Sequence, residues 1–390
     1  MRPARPSVQL SALLTLLNDR LSESLFFPLL PFLLADFTTD GRVLGLLTAS
    51  YALAQFVATP MIGALSDRHG RRPVMAICVA GTVAGLSLFA LTVSLPWAGQ
   101  WPGQLAAGLP LALLFLARII DGASGGTAAT AMAVLADVSS PEHRSRAFGL
   151  TGVAFGLAFI LGPGLGGMLA RFNLTLPLLA AVGFALVNLA VVVALLPETL
   201  PRQSRLPLPR RRDLQPFSPI LRVCRDPRVS RLGGSFLVFF LAFNAFTGVL
   251  VLYLKQSFGW GPALSSLAFL VVGVVAMVVQ GTLIGPLVKR LGERWLILGG
   301  IGSVICGALL LILATPATAI PVVYIAVAFL ALGTGLVTPC LRGLVSRRLS
   351  GDGQGAALGS LQALQSLGSF VGPPLGGLAY ETLGHRSPFL

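Results

Sequence analysis

The sequence predicts an all-α membrane protein built from two related halves. Hydrophobic residues make up 55% of the 390-residue chain and charged residues only 11%, against roughly a quarter charged in soluble domains. Two glycine-proline blocks, Gly162–Gly167 and Gly372–Gly377, lie 210 residues apart inside apolar stretches. A repeat at that distance indicates a duplicated membrane domain, and many secondary transporters form a substrate path between two such halves.

Eleven apolar runs are long enough to cross a hydrocarbon core of ~30 Å. They lie at about 10–34, 43–65, 74–95, 105–136, 147–170, 175–196, 232–254, 264–287, 295–314, 320–341 and 355–379. The first run contains Asp19, Arg20 and Glu23 and lacks a small-residue cleavage site. We therefore interpret it as a retained helix rather than a secretory signal.

The net charge of +14 could suggest a nucleic-acid-binding protein, but the basic residues lie in alternate loops. They include nine arginines from Arg202 to Arg231, and Arg342 directly after the tenth run. By the positive-inside rule, this asymmetry places the N-terminus and the 197–231 segment in the cytoplasm. We expect a multi-pass protein of the inner (cytoplasmic) membrane, whose partners are the lipid bilayer and not nucleic acid.

The domain organisation follows from the repeat. Residues 1–196 are predicted to form an N-terminal six-helix bundle, 197–231 a basic cytoplasmic linker, and 232–390 a C-terminal bundle of five helices and the start of a sixth. An amphipathic turn on anionic lipid is an alternative to a solvated linker. Shifting the run at 175–196 by 210 residues puts its partner at 385–406, beyond Leu390. The twelfth helix is therefore expected to be missing, and we favour truncation over a protein of eleven spans.

The loop between the second and third runs carries a specific motif. It reads Gly63-Ala64-Leu65-Ser66-Asp67-Arg68-His69-Gly70-Arg71-Arg72-Pro73. This resembles the cytoplasmic loop signature of the major facilitator superfamily, and the resemblance covers the whole chain. It implies the major facilitator fold, two pseudo-symmetric six-helix halves around a central cavity.

The same loop is predicted to be a conformational latch. Asp67 is expected to meet a neighbouring helix end or an arginine, and Arg71 and Arg72 to face the cytoplasm and the lipid headgroups. The latch residues are Gly63, Asp67, Arg68, Gly70, Arg71 and Arg72. The alternative is that these charges only set topology. In the second half Lys289 stands in place of Asp67 and Glu293 in place of Arg71, so the latch is expected to be one-sided.

In the fourth run Arg118 and Asp121 stand three residues apart and so share a helix face. A guanidinium at mid-membrane costs ~2.5–3.5 kcal/mol on insertion scales, and such groups usually line a cavity or pair with a carboxylate. The segment from Arg118 to Gly126 resembles the fourth-helix motif of proton-coupled members of the superfamily, which implies a part in proton transfer. Asp121 departs from the polar amide often found there, and a purely structural ion pair is the alternative.

The first run also carries acidic residues. Its pattern is Asp19-x-x-Ser22-x-Ser24-x-x-x-Pro28-x-x-Pro31, similar to that of tetracycline-type and other drug/proton antiporters, with serines replacing two glycines and Glu23 added. Asp19 and Glu23 stand four apart, so they can share a face, and like charges in a low dielectric favour a proton on at least one. Arg20 is alternatively placed to neutralise Glu23. The predicted proton-coupling residues are Asp19, Glu23, Arg118 and Asp121.

The fifth run resembles the superfamily's antiporter motif, which marks exporters more than importers. Small residues let helices approach closely, and Pro163 permits a bend. The near copy at Gly372 leaves open that both blocks serve packing alone. The predicted helix-packing residues are Gly152, Gly156, Gly162, Pro163, Gly166, Gly167, Gly372, Pro373, Gly376 and Gly377.

Polar and aromatic residues within the runs are predicted to line a substrate cavity. A wide apolar cavity with a few amides suits lipophilic or cationic compounds. Taken singly, each such residue is more often explained by a helix–helix hydrogen bond or by packing. The predicted cavity residues are Gln55, Phe240, Asn244, Gln362 and Gln365.

No enzymatic constellation is present in the sequence. The three histidines all lie in loops, and the four cysteines, Cys78, Cys224, Cys306 and Cys340, have neither disulfide nor metal spacing. No metal or cofactor is therefore expected. We predict a monomeric secondary transporter that exports small amphiphilic compounds against proton entry. The alternatives are a proton-coupled importer of a small metabolite and a transport-inactive membrane sensor.

Overall fold

A computed structural model describes residues 6–97, 103–139, 144–205, 230–348 and 354–390. Within these ranges the regular secondary structure is entirely helical. Seven long helices lie in the first half: α1 (Pro6–Phe26), α2 (Gly41–His69), α3 (Arg71–Ser94), α4 (Gly103–Ala123), α5 (Thr127–Val138), α6 (Arg144–Leu169) and α7 (Leu176–Ala194). Five lie in the second half: α8 (Ser230–Phe258), α9 (Pro262–Val278), α10 (Ile284–Leu313), α11 (Ala319–Arg348) and α12 (Gln354–Leu383).

Eight helical segments of the described chain are long and apolar enough to cross a membrane. One of them, Pro262–Leu313, is 52 residues long, and it joins α9 to α10 through a π-helical segment at Val279–Leu283. Gly292 interrupts it with a φ of 79° and a ψ of 158°, between the predicted runs 264–287 and 295–314. α1 is not among the eight, because every 18-residue stretch of it includes three charged residues. The number of eleven crossings stays a prediction.

The described chain divides into two compact units. Unit 1 takes in the described residues of 1–38 and 50–215, and unit 2 takes in those of 39–49 and 216–390. The first turns of α2 thus group with unit 2. The predicted boundaries place all of residues 1–196 in the N-terminal bundle. Most of the predicted linker, residues 206–229, lies outside the described residues, as does Cys224.

The two units use equivalent helix pairings. In unit 1, α1 packs against α6 and α7, and α3 packs against α4. In unit 2, α8 packs against α12, and α10 packs against α11. Each unit has its own buried apolar cluster, which includes Leu16, Met75, Val134 and Val192 in unit 1 and Phe236, Val337, Leu341 and Leu361 in unit 2.

Residues after α12 form a compact turn. Gly384 has a φ of 102°, and Ser387–Phe389 form a 3₁₀ helix. The ring of Phe389 is buried and lies 4.8 Å from that of Tyr253. These residues, expected to begin a further membrane helix, form no α-helix, and the twelfth span stays a prediction.

Candidate functional site

Five charged side chains of unit 1 form a cluster between α1 and α4. Nη2 of Arg20 lies 3.1 Å from Oδ2 of Asp19, and Nη1 lies 2.5 Å from Oε2 of Glu23. On α4, Nη1 of Arg118 lies 3.3 Å from Oδ2 of Asp121. Asp121 also interacts electrostatically with Asp19 and Glu23. Three carboxylates therefore share two guanidiniums, and the cluster carries an excess negative charge when all five groups are ionised.

The members of this cluster differ in exposure. The side chains of Arg118, Asp19 and Asp121 are 3%, 8% and 10% exposed, whereas Glu23 is 29% exposed. The Nε atoms of Arg20 and Arg118 are buried without a hydrogen-bond partner. Burial disfavours an unpaired charge, and the single guanidinium of Arg20 cannot fully balance the carboxylates of both Asp19 and Glu23. Asp19 is the more buried of the two that share Arg20.

Aromatic and hydroxyl groups complete the surroundings of Arg118. Its guanidinium carbon lies 4.2 Å from the ring centroid of Tyr51 on α2 and 5.6 Å from that of Phe26 on α1. Such cation–π contacts stabilise a guanidinium away from water. The Thr82 side chain of α3 lies beside the Asp121 carboxylate. Sequence reasoning did not find Tyr51 or Thr82, since neither belongs to a motif.

Glycines bring these helices together. A methyl group added at Gly122 would overlap the backbone carbonyl oxygen of Tyr51, and one at Gly85 would come within 2.9 Å of the Asp121 backbone nitrogen. α2 and α3 therefore approach α4 closely. The local signals of this approach are the glycines at 122, 125 and 126, all in the segment noted in the sequence.

The latch motif is built around a buried arginine. Nη1 of Arg71 lies 2.5 Å from Oδ1 of Asp67 and donates to Oγ of Ser66 at 2.7 Å, while Nε donates to Oδ2 of Asp137 at 3.1 Å. Arg71 is 8% exposed, so the expectation that it faces lipid headgroups is corrected. The reason is the turn at Gly70, which has a φ of 108° and directs the start of α3 back towards the end of α5.

Glu198, after α7, holds the start of α3. Its two carboxylate oxygens accept the backbone N–H groups of Arg71 at 2.9 Å and Arg72 at 3.3 Å. A carboxylate at this position satisfies free amide groups and the positive end of the helix dipole. A side chain at Gly70 would overlap Glu198. Sequence reasoning missed Asp137 and Glu198, which lie far from the loop in sequence.

Other members of the predicted latch have lesser contacts. The Arg72 guanidinium donates to the Val193 carbonyl at 2.5 Å. Arg68 is half-buried, and a methyl group at Gly63 would have no neighbour within 4 Å. In unit 2, Gly292 takes the place of Gly70, and Glu293 lies beside Gly343 of α11. Lys289, which stands where Asp67 does, is exposed.

The two glycine-proline blocks occupy equivalent places. In unit 1, methyl groups at Gly162 and Gly166 would overlap Ser24 and the Leu25 carbonyl of α1. In unit 2, the same addition at Gly372 would come within 2.9 Å of Asn244 Cβ, and at Gly376 it would overlap the Ala245 carbonyl of α8. A methyl group added at Gly377 would likewise overlap the backbone carbonyl oxygen of Gly41. Pro163 and Pro373 are buried within continuous helices, as is Gly167.

One predicted packing residue is corrected. Gly152 is exposed, and no atom outside its own helix turn lies within 4 Å of an added methyl group. Gly156, one turn later, is half-buried. The repeat pattern predicts small residues but does not fix which face of α6 meets α1.

The predicted cavity residues fall into different surroundings. Nε2 of Gln55 donates to Oη of Tyr51 at 3.3 Å and to the Gly125 carbonyl at 3.4 Å, so this amide joins α2 to the end of α4. Phe240 is 7% exposed in the core of unit 2, which corrects its assignment to a cavity. Asn244 is half-buried and accepts a hydrogen bond from Ser369 at 3.4 Å. Gln362 and Gln365 accept hydrogen bonds from Arg342.

Comparison with known proteins decides the family. The family model described as Major Facilitator Superfamily matches residues 12–373. The chain belongs to the Major Facilitator Superfamily. Members of this superfamily are transporters and not enzymes, and the chain is a multi-pass membrane protein.

Individual relatives cover nearly the whole chain. The class C tetracycline resistance protein of Escherichia coli is 33% identical over 92% of this chain and 86% of that protein. Multidrug resistance protein 2 of Bacillus subtilis (strain 168) is 28% identical over 94% of this chain and 86% of its own length. The crystal structure of the human organic anion transporter MFSD10 (TETRAN) superposes with a TM-score of 0.71 and 26% identity, covering 100% of this chain and 96% of that one.

Proposed function

We propose that this superfamily member exports small amphiphilic compounds across the cytoplasmic membrane in exchange for protons, with its N-terminus in the cytoplasm. The observation that carries the proposal is the excess carboxylate in the buried cluster of α1 and α4. Asp19 and Glu23 both lie within salt-bridge distance of Arg20, so Arg20 cannot neutralise both. A merely structural helix would have no need of charges that are expensive to keep inside a membrane.

The exchange is expected to work through Arg20. When Asp19 holds a proton, the guanidinium is free to pair with Glu23 alone. When Asp19 releases it, the two carboxylates again compete for one cation. Each state thus favours a different arrangement of the side chains of α1, and a ligand or proton that binds one arrangement better shifts the population towards it. Arg118 and Asp121 adjust the field that Asp19 experiences.

The latch supplies a second element of the proposal. Arg71 joins the end of α2, through Asp67, to the end of α5, through Asp137. Ion pairs that are partly buried between helix ends stabilise one arrangement of those helices over another. We expect this contact to hold unit 1 in one of the conformations of the transport cycle.

Relatives named for resistance to tetracycline and to several drugs support export. Their names do not fix the cargo of this chain, since the solved structure with 26% identity is named an organic anion transporter. The proposal therefore commits to small amphiphilic compounds.

Flux in proteoliposomes tests this function. The purified full chain, reconstituted with a pH gradient, should concentrate tetracycline on the side of higher proton concentration, because each proton that runs down its gradient leaves in exchange for drug. An uncoupler that collapses the gradient should abolish accumulation. Accumulation on the opposite side would favour the importer, and binding without flux would favour the inactive sensor.

A further inference from the structure

Arg342 is a charged residue of unit 2 that the proposed coupling mechanism does not use. The sequence places it directly after an apolar run, among the loop charges. In the structure it lies inside α11, six residues before the end of that helix at Arg348, and within the apolar segment Ala319–Val345. With a rise of 1.5 Å per residue, the backbone at Arg342 is about 9 Å from the helix end.

The surroundings of Arg342 are apolar on one side and open on the other. Leu341, Val345, Leu361 and Leu364 are buried in the core cluster of unit 2. Arg342 and Gln365 are half-buried, and Gln362 is exposed. The guanidinium therefore lies at the edge of the packed core of unit 2 and not inside it.

Two amides of α12 orient this guanidinium. Nη2 of Arg342 donates to Oε1 of Gln362 at 3.0 Å and to Oε1 of Gln365 at 2.7 Å. Both amide oxygens must face the guanidinium, because arginine has donors and no acceptor. Nη1 and Nε of Arg342 and the NH₂ groups of both glutamines have no protein acceptor in the described part of the chain.

Arg342 differs from the buried arginines of unit 1 in having no carboxylate partner among the described residues. Arg20, Arg71 and Arg118 each lie within 4 Å of at least one carboxylate. Among the described residues, none of the ion pairs involves Arg342. Among the described side chains, the groups of Arg342, Gln362 and Gln365 that remain without a partner are donors. They match a ligand that brings both the acceptors and the negative charge, and guanidinium and carboxylate pair through two parallel hydrogen bonds.

Polar groups continue from this site along α12. Gln362, Gln365, Ser366 and Ser369 stand at positions i, i+3, i+4 and i+7 and so share a helix face. Ser369 in turn bonds Asn244 of α8. The eight residues from Gln362 to Ser369 span about 10 Å, roughly the length of a bicyclic aromatic compound.

We propose that Arg342, Gln362 and Gln365 bind the carboxylate of an amphiphilic organic anion, whose body extends along this face of α12. This names the substrate class for the transport proposed above and rests on that proposal. It also revises the expectation, drawn from amides in an apolar cavity, of lipophilic or cationic compounds.

Three naphthalene probes of one shape test the proposal: 2-naphthoate, neutral 2-naphthamide and cationic 2-naphthylmethylammonium. Binding of each to the purified full chain is measured by fluorescence titration. The wild type should bind naphthoate about tenfold or more tightly than naphthamide, since hydrogen bonds to a charged group are stronger than neutral ones. Arg342→Gln should remove this preference, and Arg342→Lys should keep part of it, because lysine retains the charge without the planar fork.

Matched controls separate a local effect from a general one. Arg171→Gln makes the same charge change at an exposed loop residue and should leave naphthoate binding unchanged. Gln365→Leu removes an orienting amide and should weaken naphthoate alone, which keeps the test valid if Arg342→Gln fails to fold. Equal affinity of the wild type for naphthoate and naphthamide, or an unchanged preference in both folded variants, would overturn the site.

The transport assay keeps the two proposals apart. If tetracycline is exported but the wild type shows no preference for naphthoate, the anion site is wrong and proton-coupled export stands. If naphthoate binds through Arg342 but no compound moves with the pH gradient, the site stands and the proposed export is wrong.

Discussion

Gly166 of α6 lies against the backbone carbonyl of Leu25 in α1, so close that a methyl group at the glycine would overlap the carbonyl oxygen. Gly376 of α12 has the same relation to the carbonyl of Ala245 in α8. In each unit, the helix with the glycine-proline block therefore packs against another helix by the same backbone contact: α6 against α1 in unit 1, and α12 against α8 in unit 2. This equivalence extends the sequence repeat from the glycine blocks to the helices they touch.

We expect Gly166→Ala and Gly376→Ala to destabilise the protein by about 1–3 kcal/mol each, because the added methyl must displace backbone. Thermal unfolding of the purified variants in detergent measures the effect. Gly152→Ala is the matched control, since the structure places nothing near it, and alanine stabilises a helix by roughly 0.5–1 kcal/mol over glycine. Equal melting temperatures for Gly152→Ala and Gly166→Ala would contradict the packing.

Arg118 and Asp121 are expected to be coupled in stability. Arg118→Leu alone should cost about 3–5 kcal/mol, because it leaves Asp121 buried without its cation. The double variant with Asp121→Leu should recover most of that loss, since an apolar pair of similar volume replaces a buried ion pair at little cost. A thermal-unfolding cycle of the two single variants and the double variant gives the coupling.

Transport should nevertheless not return in the double variant if the pair takes part in proton coupling. Recovery of both the melting temperature and proton-driven flux would show that the pair is purely structural. Losses of stability that simply add would mean that the two side chains do not interact.

The latch predicts unequal effects of three substitutions. Asp67→Asn and Asp137→Asn should each slow transport, because both carboxylates bond Arg71. Lys289→Asn should change it less, since Lys289 is exposed and makes no ion pair in the described chain. Initial rates of tetracycline flux at matched amounts of reconstituted protein measure the difference. Equal rates for the three variants would contradict a latch that works in unit 1 alone.

Local patterns in the sequence predicted much of the fold. Apolar runs and the repeat predicted the helices, because helix formation and burial are encoded within each segment. The same holds for the Arg118–Asp121 pair, whose members stand three residues apart. Asp67 was expected to meet a helix end or an arginine, but its contact with Arg71 was not predicted, because Arg71 was expected to face the lipid headgroups. The break at Gly292 likewise follows from a glycine in a loop motif that resembles the one at Gly70.

Partners from distant segments could not be predicted. Glu198, Asp137, Tyr51 and Thr82 contact the motifs only because particular helices become neighbours, and one sequence does not specify which. Arg342 was assigned to a loop because hydropathy ends at the last apolar residue, whereas α11 continues to Arg348. Gly152 was assigned to a contact because a spacing of small residues does not reveal which face is covered.

Substitution of Asp19 tests the central claim most directly. The measurement is tetracycline accumulation in proteoliposomes under an imposed pH gradient. It is followed for the wild type, for Asp19→Asn, Glu23→Gln and Asp121→Asn, and for the control Asp36→Asn, an exposed loop carboxylate. We predict that Asp19→Asn abolishes uphill flux but preserves binding and downhill exchange, because the amide resembles the protonated acid, and that Asp36→Asn behaves as the wild type. If Asp19→Asn concentrates tetracycline as the wild type does, the coupling role passes to Glu23 or Asp121. Accumulation equal to that of the wild type in Asp19→Asn, Glu23→Gln and Asp121→Asn alike would contradict proton exchange altogether.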